Sequence, residues 1–201
     1  MFFFDRHEQR RKTSVRVIIA SVLVVFVGLA IFFGARTVFT NLALGDKGIT
    51  LGVVRHDSPR ALGGFSFSDE KGQTHTLDAW HGQIVILNLW GTWCPPCREE
   101  MPALGRLQSD LTGESIVVLT INLDRPGQRP PALWLQEAGL ENLPAFHGQN
   151  KVILGATNTS VVPTTLILDR QGFERARITG AANWDSKRLR MLIAYYANNK
   201  E

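Results

Sequence analysis

The sequence predicts a mixed α/β domain, a central sheet flanked by helices on both faces, preceded by a single N-terminal transmembrane helix. Three observations lead there. A charge-free run of 19 residues, 17–35, follows a basic tail. Two later runs, IVILNLW at 84–90 and SIVVLTINL at 115–123, are apolar and largely β-branched, as strands buried on both faces are. Helical spacings lie between and after these runs, giving the order βαβα…ββα.

The tail 1–16 carries Arg6, Arg10, Arg11, Lys12 and Arg16 against two acids. Lys/Arg on one flank of a span places that flank in the cytoplasm, so the rest of the chain is expected to be exported to the periplasm, anchored to the cytoplasmic (inner) membrane by one pass. As a helix, 17–35 would be roughly 28 Å long against a hydrocarbon core of about 30 Å. A cleaved signal peptide is the rival reading. Its apolar region would run about 7–15 residues and end at a small-residue site, for which Asn41–Gly45 is only a weak candidate. Outside the tail, 17 Lys/Arg meet 16 Asp/Glu, and no basic stripe interleaved with aromatics marks a nucleic-acid partner.

Residues 36–61 show no sustained period, contain Gly45, Gly48 and Gly52, and are expected to be a linker to a domain over 62–201. Phe65–Phe67 and Thr74–Leu77 flank the turn residues Asp69–Gly72, the pattern of an N-terminal hairpin. After the strand at 84–90 a helix should carry Leu104, Leu107 and Leu111 on one face, stop at Gly113, and kink at Pro102. Short helices are expected at 131–138 and 151–156. Strands at 164–168 and 173–179 surround the turn Asp169–Gly172. In the last helix Leu189, Leu192, Ile193 and Tyr196 occupy i, i+3, i+4 and i+7, with Asn183 or Asp185 as the N-cap. The histidines read as ordinary surface residues.

The only two cysteines, Cys94 and Cys97, stand in WGTWCPPCREEMP at 90–102. As a staple they would close a tiny loop worth only about 2 kcal/mol. As a structural metal site they lack a second pair, and the scattered histidines lack ligand spacing, so no metal is expected there. A lone dithiol could still hold Cu(I). A working dithiol suits the local physics best. Pro95 fits the first helical turn, placing Cys94 at the positive end of a helix dipole among unpaired N–H groups, which lowers a thiol pKa. Cys97, one turn further, would be the resolving thiol. No other cofactor is expected.

Leu77-x-x-Trp80-x-Gly82, Asn88 to Pro102 with its Trp93-Cys94-x-x-Cys97-x-x-Glu100 core, and Val162-Pro163-Thr164-Thr165 together resemble the thioredoxin superfamily. Within it they are closest to the membrane-anchored TlpA/ResA class of exported thiol-disulfide oxidoreductases. The resemblance runs from about Phe65 to Tyr196 and extends weakly to Asp169–Gly172 and Asn183–Ser186. It implies a thioredoxin-like fold, a cis Pro163 beside the dithiol, and a Val162 backbone that pairs with an extended substrate. Trp93, Pro95, Pro96, Val162 and Thr164 are then expected to face the substrate.

The superfamily pattern has an acid six residues before the first cysteine, where this chain has Asn88, which cannot titrate. In the TlpA/ResA class an acid three residues after the second cysteine lies near the dithiol and helps manage protons. With Asn88 unable to titrate, the resemblance therefore implies Glu100 as the proton acceptor for Cys97. The activity implied is reduction of disulfides in exported proteins, in cytochrome c maturation or copper delivery to cytochrome oxidase, with a membrane thiol reductase regenerating the dithiol. A disulfide-forming oxidant using the same cysteines, or a Cu(I) metallochaperone, is the alternative.

Overall fold

The structure is a computed structural model and describes residues 52–198 apart from 112 and 114. The expected tail 1–16, the expected span 17–35 and most of the expected linker lie outside the described residues. Among the described residues no helix is long and apolar enough to cross a membrane.

Eight strands form one mixed sheet: β1 (Val53–Arg60), β2 (Phe67–Ser68), β3 (Thr74–His75), β4 (Ile84–Trp90), β5 (Ile116–Asn122), β6 (Ala145–Gly148), β7 (Thr164–Leu168) and β8 (Glu174–Thr179). Their spatial order is β1-β8-β7-β4-β5-β6-β2-β3. β4, β5 and β6 run parallel, and β7 joins β4 antiparallel. The helices are α1 (Pro95–Asp110), α2 (Pro131–Glu137), α3 (Asn150–Ala156) and α4 (Lys187–Asn198), with a 3₁₀ turn at Leu77–Trp80.

All seven residues of β4 are buried, because the sheet has a core on each side. Ile84, Ile86 and Trp90 face one core with Met101, Leu104, Leu107, Leu189 and Ile193, under α1 and α4. Val85, Leu87 and Leu89 face the other with Phe65, Phe67, Phe146 and Ile153, under α3 and the hairpin. By the period-two rule Asn88 belongs to the first face, so a polar side chain points from the centre of the sheet toward α1.

Four expectations are corrected. Val53–Arg60, read as part of the linker, is an edge strand paired with β8. Its alternation is blurred because most of its side chains are exposed, and its partner is more than a hundred residues away. A strand at Ala145–Gly148, absent from the expected order, is too short to show a period. The start of α4 is capped by Ser186, whose Oγ accepts from Leu189 N–H, while Asn183 and Asp185 make other bonds. Finally, not every histidine is an ordinary surface residue: His56 has a 5% exposed side chain on Glu174. Helix α1 runs through Pro102 as one element, with that proline exposed.

Ile86, fully buried in the central strand, sets a simple test of the two-faced core. Ile86→Ala should destabilise the protein by about 2–5 kcal/mol in denaturant unfolding, the usual cost of a large-to-small change in a packed core.

Candidate active site

Strand β4 ends at Trp90, and Gly91–Trp93 lead into Cys94, the N-cap of α1. Pro95 and Pro96 follow in the first turn, where a missing N–H forfeits no helical bond. Cys94 and Cys97 form a disulfide with Cα atoms 5.3 Å apart. The Cys97 N–H donates to Cys94 Sγ at 3.3 Å. A helix-end amide and the helix dipole both favour negative charge on that sulfur, so reduction would leave Cys94 the better stabilised thiolate. Cys97 is fully buried, Cys94 is 4% exposed, and Trp93 is 53% exposed beside them.

Two loops frame the sulfurs. The first is held by Asp124, which is buried just beyond β5 and accepts from Thr92 N–H at 2.9 Å and Thr92 Oγ at 2.6 Å. A Cβ at Gly91 would lie 2.6 Å from Nε1 of the Trp93 indole, so a larger residue there would have to displace that ring. The second loop contains the cis Val162–Pro163 bond and sets the Val162 carbonyl oxygen 3.7 Å from Cys94 Sγ. A groove of about 300 Å³ beside them is lined by Trp93, Leu123, Asn150, Leu154, Ser160, Val161 and Val162.

Behind the disulfide, Glu100 lies one turn after Cys97 on the same side of α1 and is only 4% exposed. Its Oε1 accepts from Asn88 Nδ2 at 2.8 Å, and its Oε2 from Ala182 N–H at 2.8 Å and Trp184 Nε1 at 3.3 Å. Asn88 Nδ2 also donates to Thr165 Oγ1, directly opposite it on β7. Burial pushes the Glu100 carboxyl up to about 7, and the bonds from Ala182, Asn88 and Trp184 offset only part of that.

The fold thus gathers Trp93, Cys94, Pro95, Pro96, Cys97, Val162 and Pro163 at one end of the sheet, with Glu100 beneath. Thr164 is turned inward: it is 1% exposed and its hydroxyl donates to Val161 O at 2.8 Å. Three contributors escaped the sequence reading. Ala182 and Trp184 hold Glu100, and only the family-like Asn183–Ser186 stretch pointed there. Asp124 holds the loop before Cys94 and had no sequence signal. Among the described residues no group of three or more His, Cys, Asp or Glu is placed to hold a metal ion.

The chain is similar to known proteins over most of its length. The thiol-disulfide oxidoreductase ResA of Geobacillus kaustophilus is 28% identical over 173 residues, 86% of this chain and 90% of that protein. ResA of Bacillus subtilis is 25% identical over 175 residues, 86% and 88% of the two chains. In three dimensions, a DsbF homologue from Corynebacterium diphtheriae matches with a TM-score of 0.61 at 25% identity, covering 75% of this chain and 96% of its own. A secreted thiol-disulfide isomerase from Corynebacterium glutamicum matches at 0.62 and 23% identity, covering 77% and 97%. Fold, dithiol and relatives together define a thiol-disulfide oxidoreductase of thioredoxin-like architecture. The chain belongs to the AhpC/TSA family, whose model matches residues 60–176.

The raised pKa of Glu100 has a signed consequence. Between about pH 4.5 and 7 the native protein keeps a proton that the unfolded chain has released, so stability falls as pH rises through that window. At 1.36 kcal/mol per pKa unit the fall from this group is about 3 kcal/mol. Urea unfolding of the oxidised protein at roughly pH 5 and pH 8 should show it, and Glu100→Gln should remove it. An equal slope in both proteins would assign it to another group.

Proposed function

We propose that the protein reduces disulfides of exported proteins at the periplasmic face of the cytoplasmic membrane, anchored by a helix over 17–35. The observation that carries this reading is the Cys94–Cys97 disulfide at the start of α1, with Cys94 Sγ beside the Val162 carbonyl. The resemblance to the TlpA/ResA class supports cytochrome c maturation or assembly of the oxidase copper site as the destination of the electrons.

In this reading the reduced Cys94 thiolate attacks one sulfur of a substrate disulfide. A Cys94–substrate bond forms and the other substrate sulfur leaves as a thiolate. Cys97 gives up its proton to Glu100 and attacks Cys94 Sγ, which releases the second substrate thiolate and closes the Cys94–Cys97 bond. Two electrons pass from the dithiol to the substrate, and a membrane thiol reductase returns two. Trp93, Pro95 and Pro96 form the docking face, and the backbone at Val162 pairs with the extended substrate as an added strand would.

Equilibration of the protein with glutathione or dithiothreitol buffers tests the direction. A reduction potential near that of thioredoxin, about −270 mV, is expected, whereas one near that of DsbA, about −120 mV, would make the protein an oxidant. Cys97→Ser should accumulate a mixed disulfide at Cys94, and Cys94→Ser should form none.

Glu100 gives a separate readout. As a proton acceptor it works when ionised, so the wild-type rate should fall as pH drops below about 7. Glu100→Gln should be slower by on the order of a hundredfold above that pH, the usual scale of acid–base assistance, and lose the inflection. An unchanged rate and pH profile would remove Glu100 from the proton transfer.

A further inference from the structure

Strand β8 contains a bulge. It pairs Arg177 with Leu166 and Ala176 with Ile167, then passes over Arg175 to pair Glu174 with Leu168. In an unbroken strand residues 174 and 177 would point to opposite faces. The extra residue brings both to the face covered by α3, which is how a bulge re-aims a side chain. The register of β1 against β8 breaks over the same stretch, between Arg55 and Arg60, and His56 turns onto this pair.

The result is a buried knot. Glu174, with a 1% exposed side chain, accepts from Arg177 Nε at 2.5 Å and Nη2 at 2.6 Å, and its Oε1 lies 2.8 Å from His56 Nε2. The other N–H groups of Arg177 leave the sheet. Nη1 donates to Asn158 O at 3.0 Å and Nη2 to Thr157 O at 2.9 Å. These carbonyls end α3 and open the connection that leads to cis Pro163. Asn158, with φ of 48°, is the one non-glycine residue in the left-handed region among the described residues, so the chain turns sharply where Arg177 grips it. Thr159 N–H closes the turn on Leu154 O at 2.8 Å. Only a planar fork serves a carboxylate and two carbonyls together; an ammonium is a point donor.

We propose that Arg177, held by Glu174, which in turn meets His56, is a positioning residue that fixes the 157–163 connection so that Val162 presents its backbone to a polypeptide disulfide. The proposal rests on the reading of Val162 given under Proposed function. It makes the anchored loop matter for polypeptide substrates, which need the added-strand contact, and not for a small disulfide, which needs only the dithiol and its proton acceptor.

Arg177→Lys is the test, because it keeps a positive charge against the buried Glu174 while losing the fork. With insulin as substrate, kcat/KM should fall about tenfold, the scale of one hydrogen bond to a charged group. With oxidised glutathione the rate should not change, and neither should the reduction potential. Insulin and glutathione rates that fall together, or an unchanged insulin rate, would overturn the proposal. Amide hydrogen exchange over 157–164 should quicken in Arg177→Lys while β4 keeps its wild-type rate, and an unchanged loop would overturn it too. A wild-type protein inactive on both disulfides, with a loop loosened by Arg177→Lys, would strike the proposed function and leave the anchoring role standing.

Discussion

A buried carboxyl group with no cation beside it among the described residues is the constraint on which the site depends. Taking a carboxylate out of water costs several kcal/mol even after the protein relaxes. Glu100 meets that cost with neutral donors from separate parts of the chain: Asn88 in the central strand, and Ala182 and Trp184 in the connection to α4. Supplying them draws α1 onto β4 and seats the start of α4 against both. The donors offset only part of the burial, which leaves a carboxyl that titrates near neutrality one turn from Cys97.

The same arrangement separates two cysteines that look alike in the chain. Cys94 receives a backbone N–H at the start of the helix and faces the Val162 carbonyl and the exposed Trp93. Cys97 is fully buried, on the side of the helix that carries Glu100. A Cys94 thiolate would be stabilised as an anion at the helix start, whereas Cys97 lies deeper, one turn from Glu100. Attack and resolution by thiol exchange require this division, because the attacking and resolving sulfurs must differ in charge and access.

Precision at the surface comes from loops tied to buried acids. Asp124 fixes Gly91–Trp93 through Thr92, and Glu174 fixes the start of the 157–163 connection through Arg177. Asp124 accepts directly from the loop, whereas Glu174 holds the guanidinium that donates to the loop carbonyls. A loop held at such points keeps its backbone positions beside the disulfide.

The dithiol, the strands at 84–90, 116–122, 164–168 and 174–179, and the four helices were legible from the chain alone. Each is written in a local pattern: an apolar run, a helical spacing, or two cysteines placed one turn apart at a helix start. The edge strand at 53–60 was not legible, because its mostly exposed face carries no alternation and its partner is distant. The place of Glu100 was suggested by resemblance, but its burial and its bonds to Ala182 and Trp184, more than eighty residues away, arise only from packing. Asp124 with Thr92, and Arg177 with Thr157 and Asn158, follow the same rule. Chemistry set by neighbours within one helical turn is readable in sequence; chemistry set by burial and by hydrogen bonds between distant segments exists only once the sheet has brought them together.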